Sequence, residues 1–166
     1  MIWVQYQLAK PIKMKLKNGL EIRNNYPITS NFANRSNNFL MPPTSNLISA
    51  INQENLNSNY DLVTLLIGVN NQYQHIDFSV YQKEFPILLN KAIELAKGDK
   101  KNVIVISIPD YAYTPFGQNQ MGSQGAKISA EIDQYNTFAK NYCKANDIVF
   151  IDITDITRNG LNNPSL

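Results

Sequence analysis

The sequence has little of what most catalytic and metal-binding sites are built from. Its 166 residues include a single cysteine, Cys143, and a single histidine, His75. One cysteine excludes a disulfide within the chain, and the cysteine, histidine and acidic residues form no cluster with the spacing of metal ligands. We therefore expect neither a metal site nor a cofactor.

The chain also lacks long apolar runs and a large excess of charge of one sign. No apolar run reaches about 18 residues, so we expect no membrane-spanning helix. The opening residues, MIWVQYQLAK, lack the pattern of a signal peptide, which leaves the cytoplasm as the default expectation. The net charge is +2, and the basic cluster between Lys10 and Lys17 is interpreted as a solvated helix face. No nucleic-acid partner is predicted.

Three apolar runs are present, and they have the near-continuous hydrophobicity of strands that are covered on both faces. They are Asp61–Ile67, Asn102–Ile108 and Ile148–Ile153. Amphipathic helices are predicted between them, from Ser79 to Lys97 and from Lys127 to Asn146. This alternation predicts an α/β fold with three layers, in which helices cover both faces of a parallel sheet.

The remaining segments have weaker patterns. With 43% apolar residues, the chain is predicted to fold as a single domain over residues 1–166. We expect a helix over residues 2–17, a short strand within Leu20–Ile28, a loop over Thr29–Pro43, a short helix capped by Thr44 or Ser45 and reaching Ile51, and a long loop over Asp110–Gln124. Ser79 is expected to cap its helix with Gln82 in a capping box, and Pro86 to kink that helix or disturb its first turns.

The most informative segment is the polar one that follows the first of the three apolar runs. Gly68 allows a sharp turn there. Asn70 and Asn71 can present amide donors beyond the carboxyl end of the strand, where ligands bind in parallel sheets. Such donors stabilise a developing oxyanion. The alternative is that both asparagines hydrogen-bond local backbone groups.

The stretch IGVNNQYQ after DLVTLL resembles the third conserved block, Gly-x-Asn-Asp, of the SGNH or GDSL-type hydrolases. Later segments resemble the elements that follow this block, including NVIVISIPDYAYTPFG and VFIDIT. The resemblance implies a flavodoxin-like sheet and hydrolysis of a carboxylic or lysophospholipid-type ester. It also implies an oxyanion-hole role for Asn70, supported by the turn at Gly68. Asn71 departs from the usual Asp, although the branch resembling bacterial lysophospholipases often has Asn-Asn-Gln-Tyr here.

The same resemblance places the contacts to a small ester substrate. Asn71 and Tyr73 are expected to bind it, together with a wall formed by Tyr111, Tyr113 and Phe116. The alternative for the last three aromatic residues is that they cover the end of the sheet as ordinary core.

Several groups that the family needs are missing from the chain. It has no Gly-Asp-Ser motif, and Leu40-Met41-Pro42-Pro43 stands where a glycine amide is expected. It stops near Asn162, where Asp-x-x-His should begin. We therefore expect a polypeptide truncated at both ends, without the first strand and the C-terminal helix, and inactive alone. The alternative is a non-catalytic α/β module that binds a small ligand or a partner.

The chain offers poor substitutes for the missing groups. His75 is interpreted as a solvated loop residue, Ser79 as a helix cap and Cys143 as a buried structural thiol. A sheet without its first strand leaves backbone groups unpaired at strand edges. We therefore expect partial unfolding, or self-association through those edges.

Overall fold

The computed structural model describes residues 14–15, 21–22, 43–54 and 56–160. In chain order the elements are β1 (Met14–Lys15), β2 (Glu21–Ile22), α1 (Thr44–Gln53), β3 (Val63–Leu65), α2 (Val69–Tyr73), α3 (Phe78–Leu95), β4 (Val103–Ile106), α4 (Pro115–Met121), α5 (Gly125–Ala145), β5 (Val149–Ile151) and α6 (Thr154–Gly160). Short 3-10 helices lie at Lys100–Asn102, Tyr111–Tyr113 and Gly122–Gln124.

The main sheet contains β3, β4 and β5 in that order, and both pairs are parallel. Val63 lies beside Val103, and Ile104 lies beside Val149. Parallel neighbours need a long crossover connection, and the segments containing α3 and α5 supply the two that this sheet requires. The predicted α/β fold and the parallel pairing of the three apolar runs are confirmed, with strands shorter than the runs.

One face of this sheet, here called the inner face, is tightly packed. Val63, Leu65, Val103 and Val105 on this face are at most 2% exposed. They share one core cluster with the apolar side of the amphipathic helix predicted from Ser79 to Lys97, which is confirmed by the burial of Phe85, Leu88, Leu89, Ala92 and, just after α3, Ala96. Helices α1, α3 and α5 contact one another in series, so they form a continuous helical layer over this face.

The first two strands form a separate antiparallel pair, in which Met14 lies beside Ile22. The helix predicted over residues 2–17 is therefore wrong at Met14 and Lys15, and the strand expected within Leu20–Ile28 is confirmed at Glu21–Ile22. Antiparallel pairing with Glu21 and Ile22 is incompatible with a helix at Lys15 and Met14. The rest of the basic cluster and the loop predicted over residues 29–42 lie outside the described residues.

Both predicted helix caps are wrong. The side chain of Asp77 caps α3 by accepting a hydrogen bond from the backbone N–H of Ser79 at 2.8 Å, so Ser79 lies in the first turn. The carboxylate of Asp77 two residues earlier is a stronger acceptor than the Ser79 hydroxyl. Helix α1 begins at Thr44 with Pro43 as its N-cap, and the Thr44 side chain makes no capping bond. Helix α3 continues through Pro86 to Leu95.

The loop predicted over Asp110–Gln124 is wrong, because most of this segment is helical. The Thr114 hydroxyl caps α4 by accepting the N–H of Gly117 at 3.2 Å. Pro115 occupies the first helical turn, where a missing N–H leaves no helical bond unmade. Helix α6 is also absent from the sequence-based expectations, although Asp155 in its first turn and Arg158 in its last suit the helix dipole.

Candidate active site

The turn between β3 and α2 depends on Gly68. This residue has a φ of 116°, in the left-handed region that favours glycine. A Cβ atom added here would lie 2.6 Å from Cε2 of Tyr81 and 3.0 Å from Cδ1 of Ile108. Both the backbone conformation and the packing therefore require glycine, and the chain turns directly from the carboxyl end of β3 into α2.

The two candidate amide donors lie in α2, and Asn71 is completely buried. Its Oδ1 accepts the backbone N–H of Thr44 at 3.0 Å, and its Nδ2 donates to Oγ1 of Thr44 at 2.8 Å. Both ends of this amide are thus bound to the first residue of α1. We infer a structural role for Asn71 in place of the predicted substrate contact. Asn70, at 7% exposure, precedes it in the same helical turn.

The structure brings three of the predicted substrate-contacting residues together in one aromatic cluster: Tyr73, Tyr111 and Phe116. Ring centroids lie 6.0 Å apart for Tyr73 and Tyr111, 6.2 Å for Tyr73 and Phe116, and 6.5 Å for Tyr111 and Phe116. Tyr111 is buried, as the core alternative expects, whereas Tyr73 and Phe116 are half-buried. Tyr113 is half-buried and packs against the core.

A polar chain fixes the orientation of Tyr111 inside this cluster. Its hydroxyl donates to Oε1 of Gln72 at 2.8 Å, and Nε2 of Gln72 donates to Glu131 of α5 at 2.8 Å. Burial raises the pKa of Tyr111 to about 12, against the opposing effect of the Gln72 hydrogen bond. The phenol therefore stays protonated at neutral pH and donates its proton to Gln72.

The three residues weighed as substitute catalytic groups show ordinary environments. His75 and Ser79 are exposed, and His75 occupies the turn after α2 with a φ of 55°. The thiol of Cys143 is completely buried, and burial raises its pKa to about 11. A protonated, buried thiol is a poor nucleophile, so the prediction of a structural Cys143 is confirmed.

A buried carboxylate, which sequence reasoning missed, anchors the segment that carries Tyr111. Asp110 is completely buried, and its Oδ1 accepts the N–H of Ala112 at 3.1 Å. Nε of Arg158 donates to its Oδ2 at 3.0 Å, and Nη2 of Arg158 donates to Asp133 at 2.8 Å. A buried charge needs such a partner, so Arg158 of α6 ties the aromatic segment to α5.

A second buried amide clamps the end of β4. Oδ1 of Asn136 accepts the N–H of Ile108 at 2.8 Å, and Nδ2 donates to the carbonyl of Ile108 at the same distance. Nδ2 also donates to the hydroxyl of Thr154 at 3.0 Å, which joins α5 to α6. Polar clamps therefore hold the loops at the carboxyl edge of the sheet, where a parallel sheet places its ligand.

An open cavity of about 240 Å³ lies at the opposite end of the sheet, lined by residues that include Leu89, Ile93, Tyr142 and Ile148. The lining residues Lys100 and Asp147, which precede β4 and β5, form an exposed ion pair there at 3.0 Å. No catalytic grouping accompanies this cavity among the described residues, so the candidate site remains at the carboxyl edge.

A parallel α/β sheet with an amide-bearing turn after its first described strand is the architecture of an SGNH-type hydrolase. The chain belongs to the GDSL-like lipase/acylhydrolase family, which it matches over residues 8–166. No curated protein matches it significantly. In the part of the chain that the structure describes, no helix is long and apolar enough to cross a bilayer. Within the same residues, no three His, Cys, Asp or Glu side chains are grouped to hold a metal ion.

Proposed function

We propose that this chain is an ester-hydrolase polypeptide in which Asn70 donates its side-chain amide to the carbonyl oxygen of a small carboxylic or lysophospholipid-type ester. The observation that carries the proposal is the Gly68 turn, which starts α2 at the carboxyl edge of the sheet. Membership of the acylhydrolase family supports the reaction class. A donor of this kind stabilises the negative charge that develops on the ester oxygen.

The neighbours of Asn70 support this orientation. Asn71 turns toward Thr44. Residues three apart on a helix are neighbours on its surface, so we expect Asn70 on the side of α2 that carries Tyr73. Tyr73 belongs to the aromatic cluster, whose half-buried rings suit an acyl chain or an aromatic alcohol. An ester bound against these rings would bring its carbonyl oxygen toward the amide of Asn70.

We further propose that the chain alone does not turn over esters. The sequence contains no Gly-Asp-Ser motif, and its only histidine is the exposed His75. Removing triad members leaves about 10³–10⁴-fold acceleration over water from oxyanion donors and binding. An intact triad adds several further orders of magnitude, and the ester is in large excess over the protein in a standard assay, so this residual acceleration adds little to the rate in buffer.

The test of inactivity is hydrolysis of p-nitrophenyl butyrate by the purified chain, beside the His75→Ala and Ser79→Ala variants. All three proteins are expected to match one another and to remain near the rate of buffer. Turnover by the unmodified chain that either substitution abolishes would reveal a catalytic site of a different design.

The role of Asn70 is tested separately, by ligand binding. Butyrate carries a carboxylate that can accept the same hydrogen bond as the ester oxygen. We expect it to shift the side-chain amide signal of Asn70 in a ¹H–¹⁵N spectrum, and Asn70→Ala to abolish binding. Asn141→Ala, an exposed amide on α5, is the matched control. Equal butyrate affinity in both variants would refute the proposed donor.

A second candidate function is that of a non-catalytic module that binds a small apolar ligand at the aromatic cluster. The absence of a nucleophile motif from the sequence favours it as well. Sequencing the DNA beside the coding region separates the two. Gly-Asp-Ser and Asp-x-x-His codons there, in frame or in another frame, would support the hydrolase polypeptide. Their absence would favour the binding module.

A further inference from the structure

The contacts of Asn71 continue into a third residue and form a directed chain of hydrogen bonds. Asn71 and Thr44 are both completely buried. The hydroxyl of Thr44 accepts from Nδ2 of Asn71 and makes a short hydrogen bond to Oε2 of Glu84 on α3. The relay Asn71–Thr44–Glu84 therefore joins α1 to the consecutive helices α2 and α3, which lie 27 and 40 residues further along the chain at the bonded positions.

The chemistry of the relay fixes which way each group faces. A backbone N–H can only donate, so the N–H of Thr44 requires Oδ1 of Asn71 opposite it. This leaves Nδ2, which can only donate, against the Thr44 hydroxyl. The hydroxyl has one proton, and that proton must point to Glu84. An amide at position 71 thus calls for an acceptor at position 84.

The Thr44 hydroxyl would be equally satisfied by the opposite pairing, with a carboxylate at position 71 and an amide at position 84. An aspartate at position 71 offers only acceptors, so the Thr44 proton would have to turn toward it. Glu84 would then lose its donor, and two carboxylates would lie on either side of one hydroxyl. A glutamine at position 84 removes this conflict, because its amide can donate to the hydroxyl. Positions 71 and 84 are therefore chemically coupled although they do not need to touch.

We propose that Asn71 and Glu84 are complementary positioning residues, matched through the Thr44 hydroxyl, that hold the start of α1 against α2 and thereby orient Asn70. The part that concerns Asn70 rests on the proposed function. Asn70 is the preceding residue on a helix of five residues, so a displacement of Asn71 moves the Asn70 backbone with it.

The experiment compares thermal unfolding of the unmodified chain with Asn71→Asp, Glu84→Gln and the double variant. Asn71→Asp buries a carboxylate at position 71 and takes the Thr44 proton away from the half-buried Glu84, so we expect its Tm to fall by about 5–10 °C. Glu84→Gln alone is expected to change the Tm by less than about 3 °C, because the carbonyl oxygen of the introduced amide still accepts the Thr44 proton. The double variant should regain at least half of the loss.

Two controls separate the relay from general effects of charge. Asn141→Asp places the same change on an exposed site of α5, and adding Glu84→Gln should change its Tm no more than it changes that of the unmodified chain. Thr44→Val removes the hydroxyl, and in that background Glu84→Gln should no longer rescue Asn71→Asp. If Asn71→Asp fails to fold, folding of the double variant becomes the readout. A double variant as unstable as Asn71→Asp, or less stable, overturns the proposal.

The positioning role has its own readout, which a merely stabilising contact would not move. The side-chain amide signals of Asn70 in a ¹H–¹⁵N spectrum should shift in Thr44→Val, which breaks the relay without changing a residue next to Asn70 in sequence, and should stay in place in Glu84→Gln. Unshifted Asn70 signals in a Thr44→Val variant of lowered Tm overturn the positioning role. If butyrate does not shift the side-chain amide signal of Asn70 in the unmodified chain, the proposed function is refuted. The relay is not affected by that result, because its test uses no ligand.

Discussion

The two faces of the parallel sheet differ sharply, although they alternate along the same three strands. On the inner face, Val63 and Val103 are 0% exposed and Val105 is 2% exposed. On the opposite face, here called the outer face, Val149 is 50% exposed and Ile151 is 43% exposed. Equally apolar residues therefore have opposite environments according to which side of the strand they occupy.

Register makes the outer face a continuous apolar patch. Ile104 lies beside Val149, and Ile106 lies beside Ile151. Such strands are typical of sheets with cover on both faces, and the described helices α1, α3 and α5 form a layer over only one. The inner face thus carries the stability of the described residues. The outer face exposes Val149 and Ile151, and exposed apolar patches are a common feature of association surfaces in proteins.

The largest expected effect comes from crowding the inner core at Gly68. Gly68→Ala combines a positive φ with a Cβ 2.6 Å from Tyr81. It should lower the free energy of unfolding by about 3–5 kcal/mol, from strain and overpacking together. Urea denaturation followed by circular dichroism measures the change.

Gly98 provides the control for that substitution, because its φ is 73° and nothing lies within 4 Å of an added Cβ. Gly98→Ala retains the backbone strain without the crowding, and we expect a loss of about 1 kcal/mol. Equal losses at the two glycines would mean that the core around Tyr81 is loosely packed.

The next largest effect is expected when the same substitution, valine to alanine, is made on the inner and on the outer face of the sheet. Val105→Ala removes two methyl groups from the inner face, and we expect a loss of about 2–3 kcal/mol. Val149→Ala removes the same groups from the half-exposed outer face of the neighbouring strand, where the loss should be about 0.5 kcal/mol or less. Urea denaturation of both variants is the measurement. A similar loss at Val149 would show that the outer face is buried in solution.

Sequence reasoning identified the features that local patterns encode. The three apolar runs predicted the strands, the stripe of α3 predicted its buried side, and the glycine after β3 predicted a turn. It missed features that depend on partners distant in the chain. Asp110 and Arg158 are 48 residues apart, and Asn71 and Thr44 are 27 residues apart. Periodicity carries no signal for such pairs, so Asn71 was interpreted as a substrate contact.

The sharpest test of the outer face, with only a small effect on stability, comes from Val149→Ser combined with Ile151→Ser. Both side chains are close to half exposed, so we expect a loss of less than about 1 kcal/mol. The same change breaks the apolar patch. Sedimentation velocity should show concentration-dependent association of the unmodified chain, with a second copy covering the patch, and a shift of the double variant toward monomer. Ile87→Ser, at a site on α3 with 45% exposure, is the matched control and should leave association unchanged. If Ile87→Ser disperses the chain equally well, association depends on general surface hydrophobicity, and the outer face has no special part in it.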